Sequence, residues 1–248
     1  MASVRRIKSS WLVFLTKRRH GGLLPTPQCS RRKGHPEGRQ RAVRAKPPEL
    51  QNKTVFLNIP YDRRFGRLYL AYISGLIHIG LSPRATIEIP GGQNRLDKIL
   101  DLIRGCRHSI NDLSRVQLDR TPPQTPRFNM PFELGLAVAS AKLNSSPHDW
   151  FVFETMKRRA SKSLSDLSGS DPHIHQGTVE GVMRELGNAF EPPEHERNSV
   201  TKMMKTYTEV SRRVKRIKSE TGAKSLFEAR VFRLLCTTAV KARPLSLI

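Results

Sequence analysis

Short β-favouring runs alternate with helical stripes from Thr54 onward, and that alternation restricts the fold more than any other feature of the chain. Thr54-Val-Phe-Leu-Asn-Ile59 is a short apolar run closed by Pro60, the pattern of a strand buried on both faces. Leu68, Tyr72, Leu76 and Ile79 then recur at the spacing of one helix face within 65–81, and Gly80 supplies a stop. Ala85-Thr-Ile-Glu-Ile89 reads as a second strand, and Asn94 as the cap of a helix over Arg95–Arg104. His108–Leu113 and Asp149–Phe153 read as further strands. Helices are expected from Pro131 to about Lys142 and over Gly177–Phe190. Strands linked by helical crossovers pair in parallel, with helices on both faces. The expected fold is α/β and flavodoxin-like, with four to five strands. Beyond Pro192-Pro193 the pattern is helical only, with stripes at Val200, Met203, Met204, Tyr207, Val210, Val214 and Ile217, and at Leu226, Phe227, Val231 and Leu234. These stripes need cover, from the sheet domain or from a second copy of the chain.

Charge divides the chain in the same places. The formal net charge is +23. Met1–Asn52 has 13 basic and 2 acidic residues, His195–Ile248 has 13 and 4, and the stretch between has 18 and 15. The expected organisation is a basic, disordered extension over 1–52, an α/β domain over 53–192 and a basic helical appendage over 193–248. Basic ends favour polyanions, which leaves nucleic acid open as a partner. Trp11-Leu-Val-Phe-Leu15 is too short for a signal core, and no run of about 18 apolar residues exists to cross a membrane. Cys29, Cys106 and Cys236 are an odd, scattered set that suggests neither a disulfide framework nor a zinc site. A reducing cytoplasm is therefore the expected setting.

In an open parallel sheet, ligands bind outside the carboxyl ends of the strands, where strand order reverses. Those ends are Asn58–Asp62, Glu88–Gln93, Asp112–Ser114 and Glu154, with the loop Arg127–Glu133 beside them. Glu133 follows Pro131 closely, so a first-turn position is expected, where the helix dipole favours the charged carboxylate. Arg95, Arg115 and Arg127 are candidates to hold a phosphate through their forked donors. Gly91-Gly92 lacks the spacing of a dinucleotide or phosphate-binding fingerprint and reads as a turn, so no cofactor is expected. His173-x-His175 offers two ligand types without a third nearby, and no metal is expected. Ser114 has no evident base, and Cys106 reads as a small core residue.

Three segments carry a resemblance: Val55-Phe-Leu-Asn-Ile-Pro-Tyr-Asp62, Ile110-Asn-Asp-Leu-Ser114 and Pro126-Arg-Phe-Asn-Met-Pro-Phe-Glu-Leu-Gly135. Together they resemble a bacterial family of TIR-like, nucleoside 2-deoxyribosyltransferase-like proteins. The similarity continues through Ser163–Pro172, Gly177–Phe190 and Gly222–Arg233. Its implied catalytic positions are Glu133 and Asp112, with Tyr61 as the aromatic near the end of the first strand. Where the transferases have Asp-x-Gly, this chain has Arg127-Phe-Asn129. The resemblance implies cleavage or transfer at an N-glycosidic bond of NAD or a related nucleotide or nucleoside. The residues expected to contact such a ligand are Asn58, Tyr61, Asp62, Arg95, Ser114, Arg127 and Asn129. Chemically, the bond breaks through an oxocarbenium-like state that a carboxylate can stabilise or trap. Two other readings stay open: a non-catalytic sensing or interaction module with a structural Glu133, and a nucleic-acid-associated protein acting through its basic ends.

Overall fold

The computed structural model describes residues 53–89, 91, 94–116, 122–143, 147–167, 171–190 and 196–244. The expected 1–52 extension and the second residue of the Gly91-Gly92 turn lie outside them. Five strands form one parallel sheet: β1 Thr54–Asn58, β2 Ser82–Ala85, β3 His108–Asp112, β4 Asp149–Glu154 and β5 His173–Ile174. Their order is β2-β1-β3-β4-β5, with register pairs such as Leu57↔Ala85, Leu57↔Ile110 and Asp112↔Phe153. This is the flavodoxin-like strand order, and it reverses between β1 and β3.

Helix α1 (Gly66–His78) follows β1, α2 (Arg95–Arg104) follows β2, and α3 (Asn129–Leu143) follows β3. The short α4 (Arg159–Ser163) precedes β5, and α5 (Val179–Phe190), α6 (Glu196–Thr221) and α7 (Ala229–Ala242) complete the chain. Alternation along β1 sends Val55 and Leu57 toward α1, and Phe56 toward α2 and α3. The α1 face holds the main core, with Tyr69, Tyr72, Ile73 and Leu76 fully buried alongside Phe153 and Phe232.

A one-sided stripe on α1 is not what the structure shows. Every residue from Leu68 to His78 is buried, because α5, α6 and α7 pack on the side of α1 turned away from the sheet. A helix that is apolar all round must be buried all round. The C-terminal stripes are thus covered by this chain's own α1, except at Leu234, which faces solvent while its neighbour Leu235 is buried. Gly75 permits the closest approach: a Cβ there would lie 2.6 Å from Leu186 Cδ1 and 2.9 Å from Met183 Sδ.

The second strand is shifted from its expected place. It spans Ser82–Ala85, and Thr86–Glu88 turns into a 3-10 segment. The Glu88 carboxylate draws the chain round by accepting from Ala85 N at 2.9 Å and Arg84 Nε at 3.0 Å. Pro83 is tolerated because β2 lies at the sheet edge. Asn94 adopts a left-handed conformation (φ 64°) and makes no side-chain cap, so its role is to turn the chain.

Candidate functional site

The crevice between the carboxyl ends of β1 and β3 is organised by buried amides. Asn58, the last residue of β1, faces α3. Its side-chain amide donates to Asn111 Oδ1 at 3.0 Å and to the Met130 carbonyl at 2.8 Å. Asn58 therefore clamps the first turn of α3 to the sheet. Its 3% exposure makes it a residue that shapes the site from below.

Asp62 lies on the loop just above. Its Oδ1 accepts from the backbone N–H of Arg64 and Phe65 and so caps a 3-10 turn over Arg63–Phe65. Its Oδ2 meets Arg115 Nε at 3.1 Å and Arg127 Nη1 at 3.2 Å. Two connections converge here: the loop after β1, and the β3–α3 connection, which supplies Arg115 near its start and Arg127 near its end. Both guanidiniums remain partly open to solvent.

Asp112 sits on the other side of the sheet. Alternation along β3 turns it with Ile110 toward α1, where it is fully buried. Oδ2 accepts from the Tyr72 hydroxyl at 2.8 Å, and Oδ1 accepts from Ser114 N at 2.9 Å and from the Ser114 hydroxyl. His175 Nε2 approaches Oδ2 to 3.1 Å without the alignment of a hydrogen bond, a close contact and not a donated bond. Gly181 makes room for that histidine's backbone, since a Cβ there would lie 2.1 Å from His175 O. Ser114 is likewise buried and bonds to Asp112, not to an imidazole.

Glu133 is the fifth residue of α3, because the helix begins at Asn129 and carries no acid in its first turn. The expected dipole effect fades within that first turn. Burial decides instead: withdrawal from water raises its pKa to about 7, and the nearby Arg95 charge only partly offsets this. No hydrogen bond to the carboxylate contributes to that shift. Tyr61 is close enough for the Glu133 charge to help raise its own pKa, although burial is the larger cause. The Tyr61 hydroxyl donates to the Leu57 carbonyl at 3.2 Å, and the ring packs against Tyr69 and Phe227.

Glu133, Tyr61 and Arg95 thus form one neighbourhood, and Asp62, Arg115 and Arg127 form another that adjoins it through the Tyr61–Asp62 peptide. Asn129, exposed at the start of α3, makes no described contact with either. Two exposed aromatics that the motif does not signal lie just before Glu133 at the start of α3: Phe128 and Phe132, 66% and 55% exposed. Their signal was an aromatic pair one helical turn apart, just before the carboxylate. The two histidines of His173-x-His175 diverge, His173 meeting Glu185 at 3.3 Å and His175 meeting Asp112. Among the described residues no group of three or more His, Cys, Asp or Glu could hold a metal ion, and no helix is long and apolar enough to cross a membrane. Comparison with protein-family models, curated proteins and solved structures gives no match.

Proposed function

We propose that this chain binds a nucleotide or nucleoside at the β1/β3 crevice and cleaves or transfers at its N-glycosidic bond, with Glu133 as the catalytic carboxylate. The observation that carries the reading is the state of Glu133. A carboxyl whose pKa is raised by burial to about 7, beside the point where strand order reverses, is poorly solvated in its charged form and gains most from a positive partner. An oxocarbenium-like sugar is such a partner, because its charge appears only as the bond to the base breaks. In the covalent variant, a Glu133 oxygen bonds to the anomeric carbon while the carbon–nitrogen electron pair leaves with the base. Water or a second acceptor then displaces Glu133. A purine or pyrimidine base must also take up a proton as it leaves, whereas the nicotinamide of NAD, positively charged while bonded, leaves already neutral.

The resemblance to TIR-like, nucleoside 2-deoxyribosyltransferase-like proteins supports the same assignment. Phe128 and Phe132 offer exposed faces on which a base can stack. Arg95 keeps part of the Glu133 population ionised. Asp112 is assigned a positioning role: both its oxygens are engaged in the core, where they fix the end of β3. The test is incubation of the full chain with NAD, nucleosides and nucleoside monophosphates, with chromatographic detection of released base. Base release from at least one class is expected; none from any class overturns the reading.

A second reading has its own observation. Helix α6 turns Lys202, Lys205, Arg212, Arg213 and Arg216 to solvent, and among the described residues only Arg212 and Arg216 of these pair with glutamates, on the same helix. That stripe favours a polyanion such as nucleic acid. Binding there would weaken steeply with added salt.

A further inference from the structure

Asp62, on the loop after β1, joins two arginines from the two ends of the β3–α3 connection at one carboxylate oxygen. Among the described residues it is the single carboxylate that meets them, so one negative charge faces two guanidiniums. Its other oxygen is already committed to the backbone N–H groups of Arg64 and Phe65. Each arginine contributes one nitrogen to the contact, and neither makes the two-nitrogen fork that a dedicated Arg–carboxylate pair adopts. Both side chains are about one-third exposed, so a solute can reach them. The cluster stands at the switch point, next in sequence to Tyr61, whose surroundings include the Glu133 charge.

We infer that Arg115 and Arg127 form an anion subsite for the 5′-phosphate of the substrate, with Asp62 as an internal anion that holds the two guanidiniums in place until the phosphate arrives. This inference rests on the Glu133 reading for the position of the sugar, and it narrows the substrate class to phosphorylated nucleotides over free nucleosides. A tetrahedral phosphate accepts from two guanidiniums at once, which one singly shared carboxylate oxygen does not. The Asp62 charge weakens phosphate binding by repulsion and by competition for the same donors.

The test uses the full chain, titrated calorimetrically with inorganic phosphate and with matched pairs of nucleoside and nucleoside 5′-monophosphate for each common base. The monophosphate should bind about tenfold or more tightly than its nucleoside, and Arg115→Met combined with Arg127→Met should erase that preference while leaving nucleoside affinity nearly unchanged. Asp62→Asn keeps an oxygen for the turn and removes the competing charge, so phosphate and monophosphates should bind several-fold more tightly. A merely structural Arg–Asp cluster predicts no such gain. Equal affinity within the pairs, a preference that survives the double arginine variant, or unchanged or weaker phosphate binding by Asp62→Asn would each overturn the inference. Preferential monophosphate binding without base release would retain the subsite and remove the cleavage reading. Base release at equal rates from nucleoside and monophosphate would do the reverse.

Discussion

Asp112 and Glu133 both stand near the carboxyl end of the sheet, on opposite faces, Asp112 fully buried and Glu133 half-buried. Asp112 is surrounded by donors: the Tyr72 hydroxyl, the Ser114 backbone and hydroxyl, and the His175 ring within contact distance. Glu133 is half-buried, makes no hydrogen bond among the described residues, and is partly relieved by the Arg95 charge. A buried carboxylate that is fully partnered stabilises what it touches, whereas one left short of partners is held ready for something else. The same contrast separates the two faces. The α1 face is a continuous core extended by α5, α6 and α7, while the α3 face is served by two small clusters around Ile103 and Leu134.

The largest effect expected from this contrast is on stability. Asp112→Ala strands the Tyr72 hydroxyl, the Ser114 groups and His175 in the core, at a cost of about 3–5 kcal/mol. For a domain of this size that lowers the melting temperature by roughly 6 °C or more. A smaller drop, with activity lost selectively, would move Asp112 from the core into the chemistry.

Acid should act next, through the α1 face. His78 is buried between α1 and α6, with Nδ1 2.9 Å from the Thr206 hydroxyl. Burial first, and then the Arg243 and Lys202 charges, lower its pKa to about 4. The folded state holds its proton less tightly than the unfolded chain does. Its contribution is therefore complete above about pH 6.5 and is lost as pH falls toward 4, on the order of 3 kcal/mol in all. His108 and His148 shift in the same direction, again chiefly by burial. Chemical denaturation between pH 7 and 4 should show that decline, and His78→Gln should flatten it. An unaltered slope in the variant would place the acid sensitivity elsewhere.

Glu133 has the opposite sign. Its raised pKa means that the folded state favours the protonated form, a contribution present below about pH 4.5 and lost as pH rises through 7. Glu133→Gln resembles the protonated acid at every pH. The melting temperature of the variant relative to wild type should therefore climb between pH 5 and 7.5, by the equivalent of about 1–3 kcal/mol. A constant offset, or a variant that is less stable at pH 7.5, would mean that Glu133 is a conventional stabilising carboxylate.

How much of this could be read beforehand depends on how locally each feature is encoded. The parallel sheet was legible because Thr54–Asn58, His108–Asp112 and Asp149–Glu154 are β-favouring runs separated by helical ones, and α2 was legible to the residue. Strand β5 is two residues long and leaves no periodicity to detect. The limits of β2 were set by a side chain three residues away, Glu88 folding back on Ala85 N, which β-propensity does not register. Burial of α1 on both sides depends on helices more than 100 residues later. At the site, Asn58, Asp62 and Arg127 meet others across the crevice as the topology implied. The shift of Glu133 from first turn to second, and with it from dipole control to burial control, turned on two residues of helix start. The divergent roles of Asp112 and Glu133 follow from strand alternation and packing, which motif spacing does not carry.

The central claim is that Glu133 acts on the bond being broken, and turnover by Glu133→Gln tests it most directly. Base release should be measured under single-turnover conditions at pH 7, beside nucleotide affinity, for wild type and variant. The account predicts that release falls by about a hundredfold or more, the usual scale for losing one electrostatic stabiliser of a transition state. Affinity for the intact nucleotide should change little, because the interaction develops as the bond breaks. A Glu133→Gln protein that releases base within a few-fold of the wild-type rate would contradict it.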